Sequence, residues 1–288
     1  MKNQLMSKHW KISSIGIFLI PILAIFFISS AFGQNPEIKK ASETGIEYCS
    51  YPIDPDNTGD TANKIHILRI DPSRVKLTLL TASEHEKKLR TTAEWCKEFH
   101  LVAAINAGMF LKDYSTNVGY LRNESHVQNG KWNSKYRSVL AFNPKKVGLP
   151  PAAMIDLEEP ATKERLKDYH VVVQNLRLMK ADGINVWAKS EKKWSETALG
   201  IDKKGRILFL FCKSPMSMWK FNELVSSLRL EITRLMHLEG GPLASLSIHT
   251  AGKKIDLAGG YETGLDSGEM TGTLLPIPNV IGVQLKRN

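Results

Sequence analysis

The chain has 288 residues, 42% hydrophobic and 24% charged, a balance that excludes a disordered chain and a polytopic membrane protein. Its 20 glycines and 13 prolines exclude collagen-like and low-complexity sequence, and three cysteines are too few for a disulfide scaffold. Lys and Arg number 39 against 29 Asp and Glu, giving +10, yet the lysines fall in scattered pairs such as Lys87-Lys88 and Lys253-Lys254, with no basic block or aromatic-basic motif for nucleic acid.

The first 33 residues differ in kind from the rest. Lys2, Lys8 and Lys11 precede an apolar run from Ile12 to Ile28, and Ala31 and Gly33 occupy the −3 and −1 positions of a signal-peptide cleavage site. Cleavage would expose Gln34 and make the protein secreted or periplasmic, with no stable membrane span left in the mature chain. The rival reading is an uncleaved anchor, because the run approaches the roughly 20 residues that cross a bilayer. Residues 34–64 then read as a polar leader, and 65–288 as one domain without an internal repeat or a convincing linker.

Within that domain His66–Ile70 and Val75–Leu80 read as two strands joined into a hairpin at Asp71-Pro72-Ser73. Thr91 or Thr92 caps a short helix that runs to Phe99 with Glu94 in its first turn, and Leu101–Ile105 is an apolar strand behind it. Further strands are expected at Val118–Leu121, Val139–Phe142 and His170–Val173, while Gly148-Leu149-Pro150-Pro151 marks a turn. Asp202-Lys203-Lys204-Gly205 is a tight turn before the buried strand Arg206–Phe211. The amphipathic helix from Met218 to about Leu228 and the strand Thr233–Leu238 complete a βαβ pattern, whose two strands should run parallel as neighbours or near-neighbours. The expected fold is α/β or α+β, a single domain with a mixed β-sheet packed by helices.

Ligands of such sheets gather beyond the carboxyl ends of strands. Two spots qualify: Asn106-Ala107-Gly108 and Glu239-Gly240-Gly241. Asn106 offers one acceptor and two donors, although Asn-Ala-Gly is also an ordinary turn. Glu239 ends an apolar strand, where desolvation raises a carboxyl pKa; alternatively it accepts bonds from the Gly240 and Gly241 amides. Gln174 and Asn175 end another strand and either face the same cleft or form a turn. His237 and Glu239 alternate along one strand and should share a face, but two ligands fall short of a metal site, so a divalent metal is neither indicated nor excluded. His249 is a candidate proton carrier or a structural histidine. Cys49, Cys96 and Cys212 match no zinc spacing and allow either one bridge and a spare thiol or three buried thiols.

Several segments occur in one characteristic order: Ile105–Phe110, Asn117-Val118-Gly119-Tyr120-Leu121, Asn129-Gly130, Leu199–Gly205, Leu238–Leu246 and the closing Pro276–Val283. That series, over about residues 65–285, resembles the phosphodiester glycosidase domain family, which includes the lysosomal enzyme that uncovers mannose 6-phosphate. The resemblance implies hydrolysis of a sugar-1-phosphodiester or related glycosidic bond by a secreted enzyme that binds a glycan or sugar phosphate. It implies Glu239 and Asn106 at the reaction centre. Gly108, Thr197, Gly240, Gly241 and Ser245 join Gln174 and Asn175 in lining the substrate site. The family usually shows an arginine where this chain has Glu196, and commonly an aspartate where it has Glu239; Arg122 and Arg137 are the candidates to replace the missing phosphate clamp. Glu196 also favours a second expectation, a non-catalytic envelope protein of the same fold that binds glycan or an anionic polymer.

Overall fold

Runs of β-branched and aromatic residues too short for helices make strands the dominant element of this chain. The structure, a computed structural model, describes residues 44–54, 63–260 and 272–286. The signal-peptide reading of residues 1–33 and the first part of the polar leader lie outside the described residues. In chain order the first strands are β1 (Ile46–Pro52), β2 (Lys64–Ile70), β3 (Val75–Thr81), β4 (Ala103–Asn106), β5 (Leu121–Asn123), β6 (His126–Asn129), β7 (Ser138–Pro144) and β8 (Ala152–Asp156). There follow β9 (Tyr169–Asn175), β10 (Arg177–Lys180), β11 (Ile184–Asn185), β12 (Trp194–Asp202) and β13 (Ile207–Met216). The last are β14 (Ile232–Gly240), β15 (Ser245–Thr250), β16 (Lys253–Ala258) and β17 (Asn279–Leu285). Three α-helices occur among the described residues: α1 (Thr92–Glu98), α2 (Thr162–Lys167) and α3 (Met218–Ser227). None of them is long and apolar enough to cross a membrane.

The strands form three sheets, ordered β1-β2-β13-β12-β14-β10-β11, β16-β15-β4-β17-β3 and β6-β5-β9-β7-β8. Every pairing in them is antiparallel. Their inward faces share one core, in which Leu68, Leu199 and Phe209 of the first sheet meet Leu79, Ile105 and Ile281 of the second and Leu140, Phe142 and Val173 of the third.

This corrects the expected α/β or α+β class: the protein is mainly β, with short helices on antiparallel sheets and no mixed sheet among the described residues. The βαβ unit itself is present, its two strands parallel near-neighbours joined by α3, but it makes no parallel pairing. β13 and β14 do run the same way, but β12 lies between them and pairs antiparallel with both. The unbroken apolar run of β13 reflects cover on both its faces. Ile207, Phe209 and Phe211 enter the shared core, whereas Leu208, Leu210 and Cys212 pack in an outer layer with Phe221 and Val225 of α3.

The hairpin at Asp71 is also corrected. β2 pairs with β1 and β13, β3 pairs with β17, and the Asp71 turn carries the chain from one sheet to another. Asp71 Oδ1 accepts the Ser73 amide at 2.9 Å, which shapes the turn without pairing its flanks. The helix expected after Thr91 forms as α1, with a capping box in which the Thr91 hydroxyl accepts the Glu94 amide and the Glu94 carboxylate accepts the Thr91 amide. β1 arises from residues that read as polar leader, where it forms the edge of the first sheet against β2.

Candidate active site

Asn106 is the last residue of β4 in the second sheet, while Thr197 and Glu239 are register partners on β12 and β14 of the first. They meet where the two sheets abut. The Thr197 hydroxyl lies 3.0 Å from the Glu239 carbonyl and 3.3 Å from Asn106 Oδ1, and it accepts the Glu239 amide at 3.1 Å. Asn106 Oδ1 accepts the Ser245 amide at 2.8 Å, and its Nδ2 donates to the Leu243 carbonyl at 3.0 Å. Asn106 and Thr197 are essentially inaccessible, and Glu239 keeps 8% of its surface.

The backbone around this point is fitted for close approach. A Cβ on Gly108 would sit 2.7 Å from Asn175 Nδ2 and 2.8 Å from Asn117 Oδ1, so only glycine lets these two carboxamides close over the strand end. Asn175 donates to the Leu238 carbonyl at 3.5 Å, bringing β9 of the third sheet to the same spot. Gly240 packs against Trp194, whose ring a Cβ would meet at 2.6 Å. Gly241 takes a positive φ of 66° with open space beside it. Among the described residues, Asn117 Oδ1 and Ser245 Oγ are buried without a hydrogen-bond partner.

A β-bulge sets the electrostatics. Thr197 pairs with Glu239 but the next residue, Ala198, pairs with His237, so Leu238 is the extra residue on β14. Adjacent residues of β12 point to opposite faces, and so must their partners. His237 and Glu239 therefore lie on opposite sides of the sheet, which corrects the expectation that they share a face. Behind the sheet His237 Nδ1 is hydrogen-bonded to Glu196, whose other oxygen accepts Trp194 Nε1 at 2.9 Å. Glu196 and His237 are both buried.

Burial pushes the Glu239 carboxyl up to about 7, the Gly240 amide at 3.0 Å and the charge of His237 pull it down, and the charge of Glu196 raises it further. Burial lowers the His237 pKa, but the adjacent Glu196 carboxylate more than offsets this and holds the imidazole above its ordinary value. Tyr136 is raised by burial and by the charge of Glu239. Among the described residues no cluster of three or more His, Cys, Asp or Glu side chains is arranged to hold a metal ion.

The structure thus brings Asn106, Gly108, Asn175, Thr197, Glu239, Gly240, Gly241 and Ser245 together. The remaining candidates lie elsewhere. His249 sits past the Ala103 end of β4, at the other end of that strand from Asn106, bonded to Asp256 at 2.8 Å. Arg122 donates to the carbonyls of Tyr169 and Leu166 on the outer side of the third sheet. Gln174 is the register partner of Val139, an outer-face residue, and points away from Asn175's side; its amide is fully used by the segment 120–136. Arg137 faces Glu158 at 3.5 Å. Glu196 and His237 were each named from sequence but not as a pair, for which a glutamate and a histidine in otherwise apolar strands were the available signal; Asn117 was named only within a family segment, and Tyr136 was not singled out. Cys49, Cys96 and Cys212 are buried and unpaired with one another.

A family model described as phosphodiester glycosidase matches residues 99–284, and the chain belongs to that family. Among solved structures, the catalytic domain of zebrafish N-acetylglucosamine-1-phosphodiester alpha-N-acetylglucosaminidase, auto-inhibited by its pro-peptide, is similar with a TM-score of 0.59 and 12% identity, over 88% of each chain. A hypothetical protein from Synechocystis is similar with a TM-score of 0.58 and 13% identity, over 89% of this chain and 65% of that one. These likenesses show the fold. No curated protein matches the sequence.

Proposed function

We propose that this member of the phosphodiester glycosidase family is a secreted or periplasmic hydrolase that cleaves a sugar-1-phosphodiester or a related glycosidic bond. The observation that carries this reading is Glu239: a buried carboxyl raised to about 7, at a strand end walled by Asn106, Thr197, Asn175 and Ser245. A carboxyl tuned close to the working pH exchanges protons with the smallest penalty in either direction. A phosphate ester leaves as a stable anion and needs little protonation, so Glu239 serves best as the base that removes a proton from the attacking water. As the water oxygen bonds to the anomeric carbon, the carbon–oxygen bond to phosphate breaks and its electrons leave with the phosphate ester. Asn106 has one amide hydrogen beyond its bond to Leu243, and Asn117 Oδ1 and Ser245 Oγ supply unused polar atoms for sugar hydroxyls. Export is supported by the basic, apolar and small-residue series of residues 1–33.

A second reading, a non-catalytic envelope protein that binds glycan or an anionic polymer, is favoured by Glu196. Its carboxylate stands where the family usually carries arginine, and its bonds to His237 and Trp194 leave no phosphate clamp at that position. Turnover of aryl and nucleotide sugar-1-phosphodiesters, with and without divalent metals, separates the two. In the hydrolase, kcat/KM rises with pH through an apparent pKa of about 7, and Glu239→Gln lowers the rate about 100- to 10,000-fold while binding survives. Turnover unchanged by Glu239→Gln removes this residue from the mechanism, and a parent protein with no turnover on the whole panel supports the binder.

A further inference from the structure

The segment from Lys131 to Arg137 crosses the end of the third sheet and carries Trp132 on its outer side. Tyr120 stacks on the Trp132 ring with centroids 4.3 Å apart and planes within 5°, and the tryptophan still keeps 38% of its surface exposed. One face of the indole is therefore covered, and the exposed part of Trp132 lines a cleft of about 460 Å³ between this segment and α2. The buried amide of Gln174 mounts the platform: its oxygen accepts the Tyr120 and Asn133 amides at 3.0 and 2.9 Å, and its nitrogen donates to the Asn133 and Tyr136 carbonyls, both at 2.8 Å. Since Gln174 makes these four bonds inside the fold, the aromatic pair is held in place before any ligand arrives, and little ordering cost remains for binding.

The cleft is also lined by Arg137, Glu159, Lys163 and Glu164, two cations and two anions. Such a rim opposes a multiply charged anion about as much as it attracts one. Its polarity also disfavours a purely apolar anchor. It suits a neutral ligand whose polar groups both donate and accept, and whose one face is apolar enough to lie on an indole. A pyranose ring has this chemistry: axial C–H groups on one face meet the electron-rich ring, and hydroxyls at the edge bond to charged side chains. The cleft falls within the roughly 300–1,000 Å³ of small-molecule sites.

We propose that this cleft is a carbohydrate-binding site, separate from the Glu239 centre, in which a pyranose ring of an oligosaccharide lies on the exposed part of Trp132. The site does not depend on the hydrolase reading, because Gln174 and Asn175 point to opposite sides of β9 and only Asn175 faces Glu239's side. The test is calorimetric and saturation-transfer NMR titration of the Glu239→Gln chain, so that no turnover intervenes, with maltotriose, cellotriose and chitotriose as probes. At least one trisaccharide should bind with magnetisation transferred from indole protons. Trp132→Ala should weaken it roughly tenfold or more, and Trp132→Phe should restore most of the loss. Lys163→Ala, in the same cleft lining and exposed, should weaken the same sugar several-fold without changing the fold, which covers the case in which Trp132→Ala disturbs the Tyr120 segment. Absence of binding by all three sugars, or binding that neither Trp132→Ala nor Lys163→Ala alters, overturns the proposal.

Discussion

Replacing Glu239 by Gln should stabilise the fold at alkaline pH while it removes activity. The parent carboxyl goes from an ordinary value of 4.5 to about 7 on folding, because burial penalises its charged form. A group whose folded pKa is raised favours folding fully below its unfolded pKa and loses that contribution as pH rises through the folded value. The window here runs from pH 4.5 to 7, and a shift of this size corresponds to about 3 kcal/mol of lost stability above it. Glutamine keeps the size and the acceptor that holds the Gly240 amide, but it never carries charge. By linkage the advantage of Glu239→Gln over the parent should grow from about 1 kcal/mol near pH 5 to about 3 kcal/mol near pH 8. Urea unfolding at the two pH values, read as midpoint and slope, measures it. His237, also raised, loses stability in the same direction in both proteins, and only its smaller coupling to the Glu239 charge enters the difference. A difference independent of pH would show that Glu239 is not held neutral by burial, and the catalytic argument would lose its base.

Two further outcomes bear on neighbouring inferences. Glu196→Arg, which on family pattern alone should restore a phosphate clamp, is instead expected to destabilise the protein by roughly 3–5 kcal/mol and give no gain in turnover, because it removes the buried partner of His237 and the acceptor of Trp194 Nε1. An unchanged urea midpoint together with faster turnover would place that side chain in the substrate site after all. Expressed with its own leader, the protein should be recovered outside the cytoplasm with an amino terminus near Gln34, as N-terminal mass spectrometry would show; intact Met1 in a membrane fraction would support the uncleaved anchor.

Local chemistry was readable where it acts within a few residues. Thr91 and Glu94 announce a capped helix, and the apolar run of β13 announces a buried strand; both form. Sheet membership was not readable in the same way. An apolar run covered on both faces looks the same whether its neighbours run parallel or antiparallel, and β12, which separates β13 from β14, leaves no local mark of its insertion. The bulge at Leu238 is hidden for a similar reason. It arises from how β14 registers against β12, some forty residues away, and no glycine or proline at that position betrays it. Strict alternation then assigned His237 and Glu239 to one face, although the folded sheet separates them. Gln174 and Asn175 show the converse: their adjacency suggested a shared cleft, but alternation along β9 sends one to the Trp132 side and the other to Gly108.

The bulge also explains how two sheets come to share one polar centre. The extra residue at Leu238 interrupts regular pairing beside Glu239, yet neither polar backbone group of Glu239 is left unpaired, because the Thr197 hydroxyl accepts its amide and reaches its carbonyl. The same hydroxyl approaches Asn106 Oδ1, so one small side chain fixes the Glu239 backbone and links the first sheet to the second. With the main chain held on rigid strands, the carboxylate is oriented by the Gly240 amide rather than by a loop. Behind the sheet, Glu196 and His237 place a buried ion pair against the same stretch of β14, and the charge of each acts on Glu239 in opposite directions. The pair therefore moves the carboxyl less than burial does, which leaves desolvation in control of its proton affinity and ties that affinity to how tightly the sheet junction closes.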